Sequence, residues 1–128
     1  MTTAAAATGS ASSRTLAHPE PGDVRLEAVL HALADPMRMR VVRELAREES
    51  AGGLSCSYFA LPVTKSTCTH HFRVLRESGV IRQIYRGTTK LNVLRRDDLD
   101  VLFPGLLDSV LDAATRQETR LEGAGAGA

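Results

Sequence analysis

Three metal-binding side chains lie within four consecutive residues of the sequence, in the stretch Cys-Thr-His-His formed by Cys68, Thr69, His70 and His71. A thiolate and two imidazoles are ligands of Zn²⁺ and related metals. A tetrahedral site needs about four ligands that converge on one point, whereas consecutive residues of a helix point in different directions. The same stretch could instead be one turn of a helix that lies in a DNA groove. The elements around it decide between these two interpretations.

The composition is typical of one globular domain. The chain has 128 residues, of which 43% are hydrophobic and 24% charged. No run approaches the roughly 20 apolar residues that span a bilayer, so we expect no membrane partner. The N-terminus lacks a basic start followed by an apolar segment, and the two cysteines then indicate a reducing, cytoplasmic location with free thiols. We predict disordered tails over residues 1–22 and 122–128 and one domain over residues 23–121.

Basic residues are concentrated in one segment. Residues 64–96 contain eight Lys and Arg residues against Glu77 alone, a net charge of +7, while the rest of the chain carries −6. A basic block inside an acidic protein indicates either a surface that binds a polyanion or an ordinary solvated basic surface. Charge alone leaves both interpretations open.

Capping residues predict where the helices begin and end. Asp23 can cap a first helix over residues 24–34, and Asp35, followed by a proline at the first helical position, starts a second. After the interruption at Pro62, Thr64 can cap a helix that runs to about residue 78 and stops at Gly79. Two β-rich arms around a glycine-containing turn then predict a hairpin over residues 80–94. Further helices are expected from residue 97 or 98 and from residue 106 to about 121.

This order of elements predicts a mainly α fold with a small β-hairpin. It is a winged helix-turn-helix, with about five helices and a two-stranded wing. The helix over residues 65–78 is the one that would enter a DNA major groove, because a helix has the diameter of that groove.

A helical wheel separates the residues of that helix into two arcs at about 100° per residue. Cys68, Phe72 and Leu75 form an apolar arc, with His71 at its margin. The polar arc is either a DNA-contacting face or a solvated helix surface, and the basic hairpin that follows favours the first interpretation. The candidate DNA-binding residues on this helix and on the tip of the wing are Lys65, Ser66, Thr67, Thr69, His70, Arg73, Arg76, Arg86, Thr88 and Lys90. The wing-tip residues are expected to contact phosphates and so to position the protein.

Two stretches carry a family resemblance. Residues 30–45, LHALADPMRMRVVREL, and residues 66–81, STCTHHFRVLRESGVI, resemble the corresponding segments of ArsR-type winged-helix repressors, and YRGTTKLNVL resembles their wing. Thr69 stands at the second serine of the family's recognition-helix motif, His71 at its histidine, Phe72 at its leucine and Gly79 at its glycine. The likeness covers about residues 26–99. It implies a homodimer that binds double-stranded DNA at an inverted-repeat operator and releases it on sensing a signal, such as a small-molecule effector.

The first and last helices are the predicted dimer surface, because their apolar residues exceed what a small core can use. The residues concerned are Leu26, Leu30, Leu106, Leu107, Val110 and Leu111.

We predict neither a metal nor a cofactor. Metal-sensing relatives carry paired cysteines before the recognition helix, where this chain has Cys56 alone. A site in residues 68–71 would need one metal to bind both Cys68, which packs inward, and His70, which points outward. Cys56 is either a structural cysteine or a sensor thiol. No Ser/His/Asp set, phosphate loop or paired carboxylate indicates an enzyme. The predicted function is a sequence-specific transcriptional regulator; the alternative is a thiol- or small-molecule-responsive sensor acting through Cys56, with the winged helix mainly an interaction module.

Overall fold

The computed structural model describes residues 16–127, which form six α-helices and three short β-strands. The helices are α1 Leu26–Leu33, α2 Pro36–Arg47, α3 Cys56–Phe59, α4 Lys65–Glu77, α5 Arg96–Leu102 and α6 Leu106–Gly127, and the strands are β1 Leu54–Ser55, β2 Ile81–Arg86 and β3 Thr89–Leu94. This order confirms the predicted winged helix-turn-helix. The chain divides into two compact units, of which the first ends at Arg95 and the second begins at Arg96. None of the described helices is long and apolar enough to cross a membrane.

Side-chain caps start two of the helices where the sequence predicted. The Asp35 carboxylate accepts hydrogen bonds from the first backbone N–H groups of α2, at 2.8 and 3.1 Å. The Thr64 hydroxyl accepts one from the backbone of Thr67 at 3.2 Å. The predicted cap at Asp23 is wrong, because Asp23 lies in a 3₁₀ turn and α1 begins only at Leu26. Local capping chemistry therefore fixes the start of α2 and of α4 but not that of α1.

The turn between α3 and α4 depends on a left-handed residue. Helix α3 has only four residues and ends at Phe59, and the next residue, Ala60, has a φ of +48°. The Arg40 side chain on α2 donates a hydrogen bond to the carbonyl of Phe59 at 2.8 Å, which satisfies a carbonyl that the helix leaves unpaired at its end. This hydrogen bond holds α3 against α2 at the point where the chain turns toward α4.

The wing is a three-stranded antiparallel sheet in the order β1–β3–β2, rather than the two strands predicted. Leu54 on β1 lies opposite Asn92 on β3, and Asn92 lies opposite Gln83 on β2. A turn at residues 87 and 88 closes the hairpin, with Gly87 at a φ of +67°. The extra strand has only two residues. Such a short strand has no periodicity of its own in the sequence, so it could not be predicted.

An apolar core in the first unit supports α4. Phe72 and Leu75 on its inner side are 2% and 0% exposed, and the Phe72 ring lies 5.6 Å from that of Phe59 on α3. The other apolar residues buried in this unit are Val29, Ala32, Leu33, Val41, Val42, Leu45, Leu54, Val80, Ile81 and Leu94. Burial of the α4 inner side fixes which of its residues remain outside.

Gly79 ends α4 in the left-handed conformation that the sequence predicted, with a φ of +89°. A Cβ atom at this position would lie 2.6 Å from a methyl group of Val24, so a side chain is excluded by contact as well as by backbone conformation. The glycine allows the chain to leave α4 and enter β2 within three residues.

The second unit contains α5 and α6, separated by the predicted break at Pro104 and Gly105, where Gly105 has a φ of +81°. Helix α6 continues to Gly127, which corrects the predicted disorder over residues 122–127; residue 128 lies outside the described residues. Alanine favours a helix, but glycine is less favourable by about 1 kcal/mol per residue, so this stretch extends α6 by propagation of a helix that has already begun and not by its own propensity. Arg96 forms an ion pair with Asp108 at 2.9 Å within this unit.

The N-terminal segment also differs from the prediction of a disordered tail over residues 1–22. Residues 1–15 lie outside the described residues, whereas the segment from Leu16 onward has a defined path along the outer edge of β2. The backbone N–H of Gln83 donates to the His18 imidazole at 2.9 Å, and the Arg95 side chain donates to the carbonyl of Pro19, also at 2.9 Å. An edge strand presents backbone N–H groups without strand partners, and this segment satisfies one of them.

Candidate nucleic-acid interface

The outward side of α4 presents hydroxyl, imidazole and cationic groups together. Its exposed residues include Lys65, Ser66, Thr67, Thr69, His70 and Arg73. The first of these lie at the helix N-terminus, where unpaired backbone N–H groups and the helix dipole favour an anion such as phosphate. The Thr64 hydroxyl lies 3.0 Å from that of Thr67 and 3.3 Å from that of Ser66, so the capping network orders this polar end. This side of α4 can offer side chains to both phosphates and base edges.

The sequence Cys-Thr-His-His is divided by the helix. Thr69 and His70 are exposed, Cys68 is half-buried, and His71 is buried with 8% of its surface exposed, deeper than the margin predicted for it. Burial, and secondarily the neighbouring Cys56, raises the pKa of the Cys68 thiol, which keeps it protonated near neutral pH. Over residues 16–127 no group of three or more His, Cys, Asp or Glu side chains could hold a metal ion. The absence of a metal site stays a prediction.

His71 is buried because it belongs to a polar junction of three helices that the sequence did not reveal. The Arg38 side chain on α2 is 7% exposed and donates to the His71 Nδ1 atom at 3.1 Å. It also donates to the carbonyls of Ala32 at 2.8 Å and His31 at 3.3 Å at the end of α1, where the His31 carbonyl accepts from the backbone N–H of Ala34 as well. One guanidinium therefore joins α1, α2 and α4.

The Asp35 carboxylate completes this junction, with an oxygen 3.9 Å from the Nδ1 atom of His71. Burial alone would raise the pKa of Asp35, but hydrogen bonds from the backbone N–H groups of Arg38 and Met37 and the positive charge of Arg38 outweigh it, and the net effect lowers the pKa. The carboxylate is thus anionic near neutral pH, where it caps α2 and balances the buried guanidinium.

The wing tip is a second polar surface. Arg86 and Thr88 are exposed and Lys90 is half-buried, and Arg86 lies opposite Thr89 in the last pair of the hairpin. Charged side chains at the end of a hairpin can reach a phosphate backbone without any base contact.

Arg76 does not share the outward side of α4 with the other candidates. Its side chain is half-buried, and its Nη1 atom donates to the Oε1 atom of Gln83 on β2 at 2.7 Å. Its Nε atom is buried and has no hydrogen-bond partner among residues 16–127. Arg95, another residue of the basic segment, is 5% exposed. The net charge of that segment therefore overstates its exposed basic surface, and Arg76 links the helix to the wing.

Gln83 and Asn92 continue this link through the sheet, and we call these two side chains with Arg76 the wing-root network. Gln83 is 3% exposed and donates through Nε2 to the Oδ1 atom of Asn92 at 2.8 Å. Asn92 is fully buried and donates through Nδ2 to the carbonyl of Leu54 at 3.0 Å and to the Cys56 sulfur at 3.5 Å. A buried amide that loses its partner costs about 1–3 kcal/mol, so the complete network holds α4, β2, β3 and β1 in one arrangement.

His18 gives the wing root a pH-dependent contact. Burial, and then the charges of Arg82, Arg95 and Arg76, lowers its pKa below the ordinary histidine value of about 6.5. The neutral imidazole is the form that accepts the hydrogen bond from Gln83. When the segment detaches, His18 regains its ordinary pKa and binds more protons than it does in the attached state. The attachment is therefore complete well above pH 6.5 and weakens as the pH falls below that value.

We expect the hydrogen-exchange protection of the Gln83 amide, corrected for intrinsic exchange, to fall steadily from about pH 7.5 to about pH 5.5. The control is His18→Gln, whose amide oxygen can accept the same hydrogen bond but does not titrate in this range. Its Gln83 protection should not depend on pH. An equal pH dependence in both proteins would contradict the role of His18.

The predicted dimer residues differ in exposure. In the first unit, Leu26 and Leu30 are 42% and 44% exposed. In the second unit, Leu106, Val110 and Leu111 are half-buried, whereas Leu107 is 2% exposed and is therefore unavailable to a partner. The other predicted site residue, Cys56, is a half-buried free thiol at the end of the wing-root network.

Comparison with known proteins gives consistent matches. A family model described as a helix-turn-helix domain matches residues 33–84, from α1 to β2. An HTH-type transcriptional regulator of Bacillus subtilis (strain 168), YceK, is 31% identical over 87 residues, which cover 64% of this chain and 82% of that protein.

Two crystal structures resemble the chain. One, of an ArsR family transcriptional regulator, superposes with a TM-score of 0.51 at 22% identity over 77% of this chain and 96% of that one. The other, titled a possible transcriptional regulator for arsenical resistance, superposes with a TM-score of 0.50 at 25% identity over 73% of this chain and 97% of that one.

Proposed function

The chain belongs to the ArsR-type winged helix-turn-helix transcriptional regulators, a family that binds DNA, and from this premise we propose that it is a homodimeric repressor of an inverted-repeat operator. The proposal includes release of the operator on sensing a signal. It assigns base and phosphate contacts to the outward side of α4 and phosphate contacts to the tip of the wing.

The exposure of one set of side chains carries the proposal. Lys65, Ser66, Thr69, His70 and Arg73 lie outward on α4, while the opposite side of the helix is buried in the core. Hydroxyls and imidazoles near the start of a helix can read base edges in a major groove, and an arginine can bind guanine with two hydrogen bonds.

The direct test is selection of DNA by the purified protein. We expect a pool of genomic fragments to be enriched in an inverted repeat whose half-site centres lie about 10–10.5 base pairs apart, or a multiple of that spacing. The logarithm of the binding constant should fall linearly with the logarithm of salt concentration, at about 0.9 per phosphate contact. No enriched repeat, or a slope near zero, would exclude the proposed function. A reporter gene placed behind the selected repeat then distinguishes repression from activation.

The dimer is supported by the exposed leucines of α1 and the apolar side of α6, each considered by itself. Leu26 and Leu30 are 42% and 44% exposed and lie four residues apart, so they form one apolar patch on the same side of α1. Sedimentation of the wild type should give twice the mass of one chain. Leu26→Lys combined with Leu30→Lys tests the share of α1, with retained helicity as the control for folding. A monomeric wild type at micromolar concentration would contradict the dimer.

A second candidate function is favoured by the contact between Cys56 and Asn92. A change at the Cys56 sulfur would disturb an amide that is hydrogen-bonded toward α4, so a thiol-responsive sensor is a specific alternative. It predicts that Cys56→Ser binds DNA normally but no longer releases it on treatment with a thiol reagent, whereas Cys68→Ser behaves as the wild type. Equal release by both variants would reject it. The absence of enzymatic activity, the cytoplasmic location and one domain that includes residues 23–121 remain parts of the proposal.

A further inference from the structure

The wing-root network has only one possible direction of hydrogen bonding. Arg76 can only donate, and the Leu54 carbonyl at the other end can only accept. The amide oxygen of Gln83 must therefore face Arg76, and the amide oxygen of Asn92 must face Gln83. Each side chain uses one end of its amide for each neighbour, so neither can be turned over without breaking two bonds. The network thus defines a single arrangement of α4 and the wing.

Apolar packing between α4 and β2 would not restrict this arrangement as tightly. Burial of apolar surface is non-directional, whereas hydrogen bonds weaken steeply when their angle departs from linearity. Gln83 and Asn92 are also opposite one another in the strand register, so the network crosses the sheet along one row of residues. A rotation of the hairpin relative to α4 would separate Arg76 from Gln83 first, because these two residues belong to the two moving parts.

We propose that Gln83 and Asn92, through Arg76, are positioning residues for DNA binding. They fix the wing at the angle to α4 at which the helix and the wing tip contact one duplex together. This inference rests on the proposed function, because it gives DNA contacts to α4 and to Arg86 and Lys90. It also removes Arg76 from the residues that contact phosphate, since the Arg76 guanidinium is held by Gln83 at 2.7 Å.

A double-mutant cycle tests the coupling. Replacing both Arg86 and Lys90 with alanine in the wild type should weaken operator binding about tenfold or more at physiological salt, because two phosphate contacts are lost. In the Gln83→Met background, where the wing is no longer held, the same replacement should weaken binding by less than about threefold. Methionine keeps the length of the side chain but offers Arg76 no acceptor of comparable strength. Equal losses in the two backgrounds, or no loss in the wild type, would overturn the inference.

The salt dependence of binding separates positioning from phosphate contact at Arg76. Arg76→Met should lower affinity and leave the slope of log binding constant against log salt unchanged. A slope reduced by about one would mean that Arg76 contacts a phosphate, and the inference would be wrong. Arg76→Met also replaces Gln83→Met in the cycle if the latter fails to fold, because Arg76 is only half-buried.

A measurement without DNA tests the structural step of the inference, the fixed angle between the wing and α4, separately from the proposed function. Residual dipolar couplings of backbone amides in α4 and in β2–β3 should fit one alignment tensor in the wild-type protein and two tensors in Gln83→Met. A single tensor in the folded variant would overturn the inference even if the protein binds an operator. Two tensors together with a failure to select any operator would instead show that the network holds the wing, but would refute the proposed function and with it the role of the network in DNA binding.

Discussion

Replacing Arg73 with alanine is expected to lower operator affinity by about tenfold to a hundredfold without unfolding the protein. Arg73 is exposed on α4, one helical turn after Thr69, and its side chain is long enough to reach a base edge in the major groove. A two-hydrogen-bond contact between arginine and guanine contributes about 1–3 kcal/mol of discrimination, and about 1.4 kcal/mol is a factor of ten. The measurement is an anisotropy titration with the selected operator at fixed salt.

The matched control is Arg116→Ala on α6, which removes the same charge from an exposed side chain. Arg116 pairs only at the surface with Asp112, and surface ion pairs contribute little to stability. This variant should bind the operator with wild-type affinity. If the two variants lose affinity equally, net charge explains the effect and Arg73 has no specific contact. If Arg73→Ala weakens operator and unrelated DNA alike, its contact is to phosphate and not to a base.

Replacing Arg38 with leucine is expected to lower the free energy of unfolding by about 3 kcal/mol. The substitution removes the donor to the His71 nitrogen and to the Ala32 carbonyl, and one of the two donors to the His31 carbonyl. It also leaves the Asp35 carboxylate without the nearby buried cation. Removing one member of such a buried network is strongly destabilising, because the remaining polar groups stay buried and unpaired. This loss is a large part of the 5–15 kcal/mol typical of a domain.

Urea unfolding measures this effect as a lower midpoint with an unchanged slope. Arg47→Leu is the control on the same helix, since Arg47 is exposed and pairs with Glu44 at the surface. Its loss should stay below about 1 kcal/mol. Similar midpoints for the two variants would show that the Arg38 junction contributes no more than a surface arginine.

Features set by neighbouring residues could be predicted from the sequence. Asp35 and Thr64 cap their helices through backbone groups two or three residues away, and Gly79 ends α4 for reasons of backbone conformation. Helical periodicity also placed Phe72 and Leu75 on the inner side of α4, because the apolar residues that the core requires recur every three or four positions.

Features set by distant contacts could not be predicted in this way. A helical wheel places His71 only at the margin of the apolar arc, because its burial depends on Arg38, which lies 33 residues earlier in the chain. His18 was assigned to a disordered tail because its partner is 65 residues away. Arg76 was assigned to the DNA-contacting arc because a helical wheel does not include the strand that binds it.

One local signal for the wing-root network was present in the sequence. Gln83 lies two positions after Ile81 in β2, and Asn92 lies two positions before Leu94 in β3. Because residues two apart in a strand point to the same face, each amide shares the inward face with a buried apolar residue. A polar residue at such a position needs a buried partner, although the sequence does not identify that partner.

The paired strands of the wing restrict where residues can be inserted without changing which face of the sheet each side chain occupies. The turn at residues 87 and 88 is separated from the Gln83–Asn92 pair by the pairs that begin at Ile84, Tyr85 and Arg86. Side chains alternate between the two faces of a strand. Adding one residue to each arm at the turn would therefore leave every existing pair intact. A residue added to one arm below the turn would instead move each later side chain of that arm to the opposite face of the sheet. The end of the hairpin can accordingly be replaced by that of a relative, provided that both arms are lengthened by the same number of residues. Such grafts would vary the reach of the wing while its root remained the same.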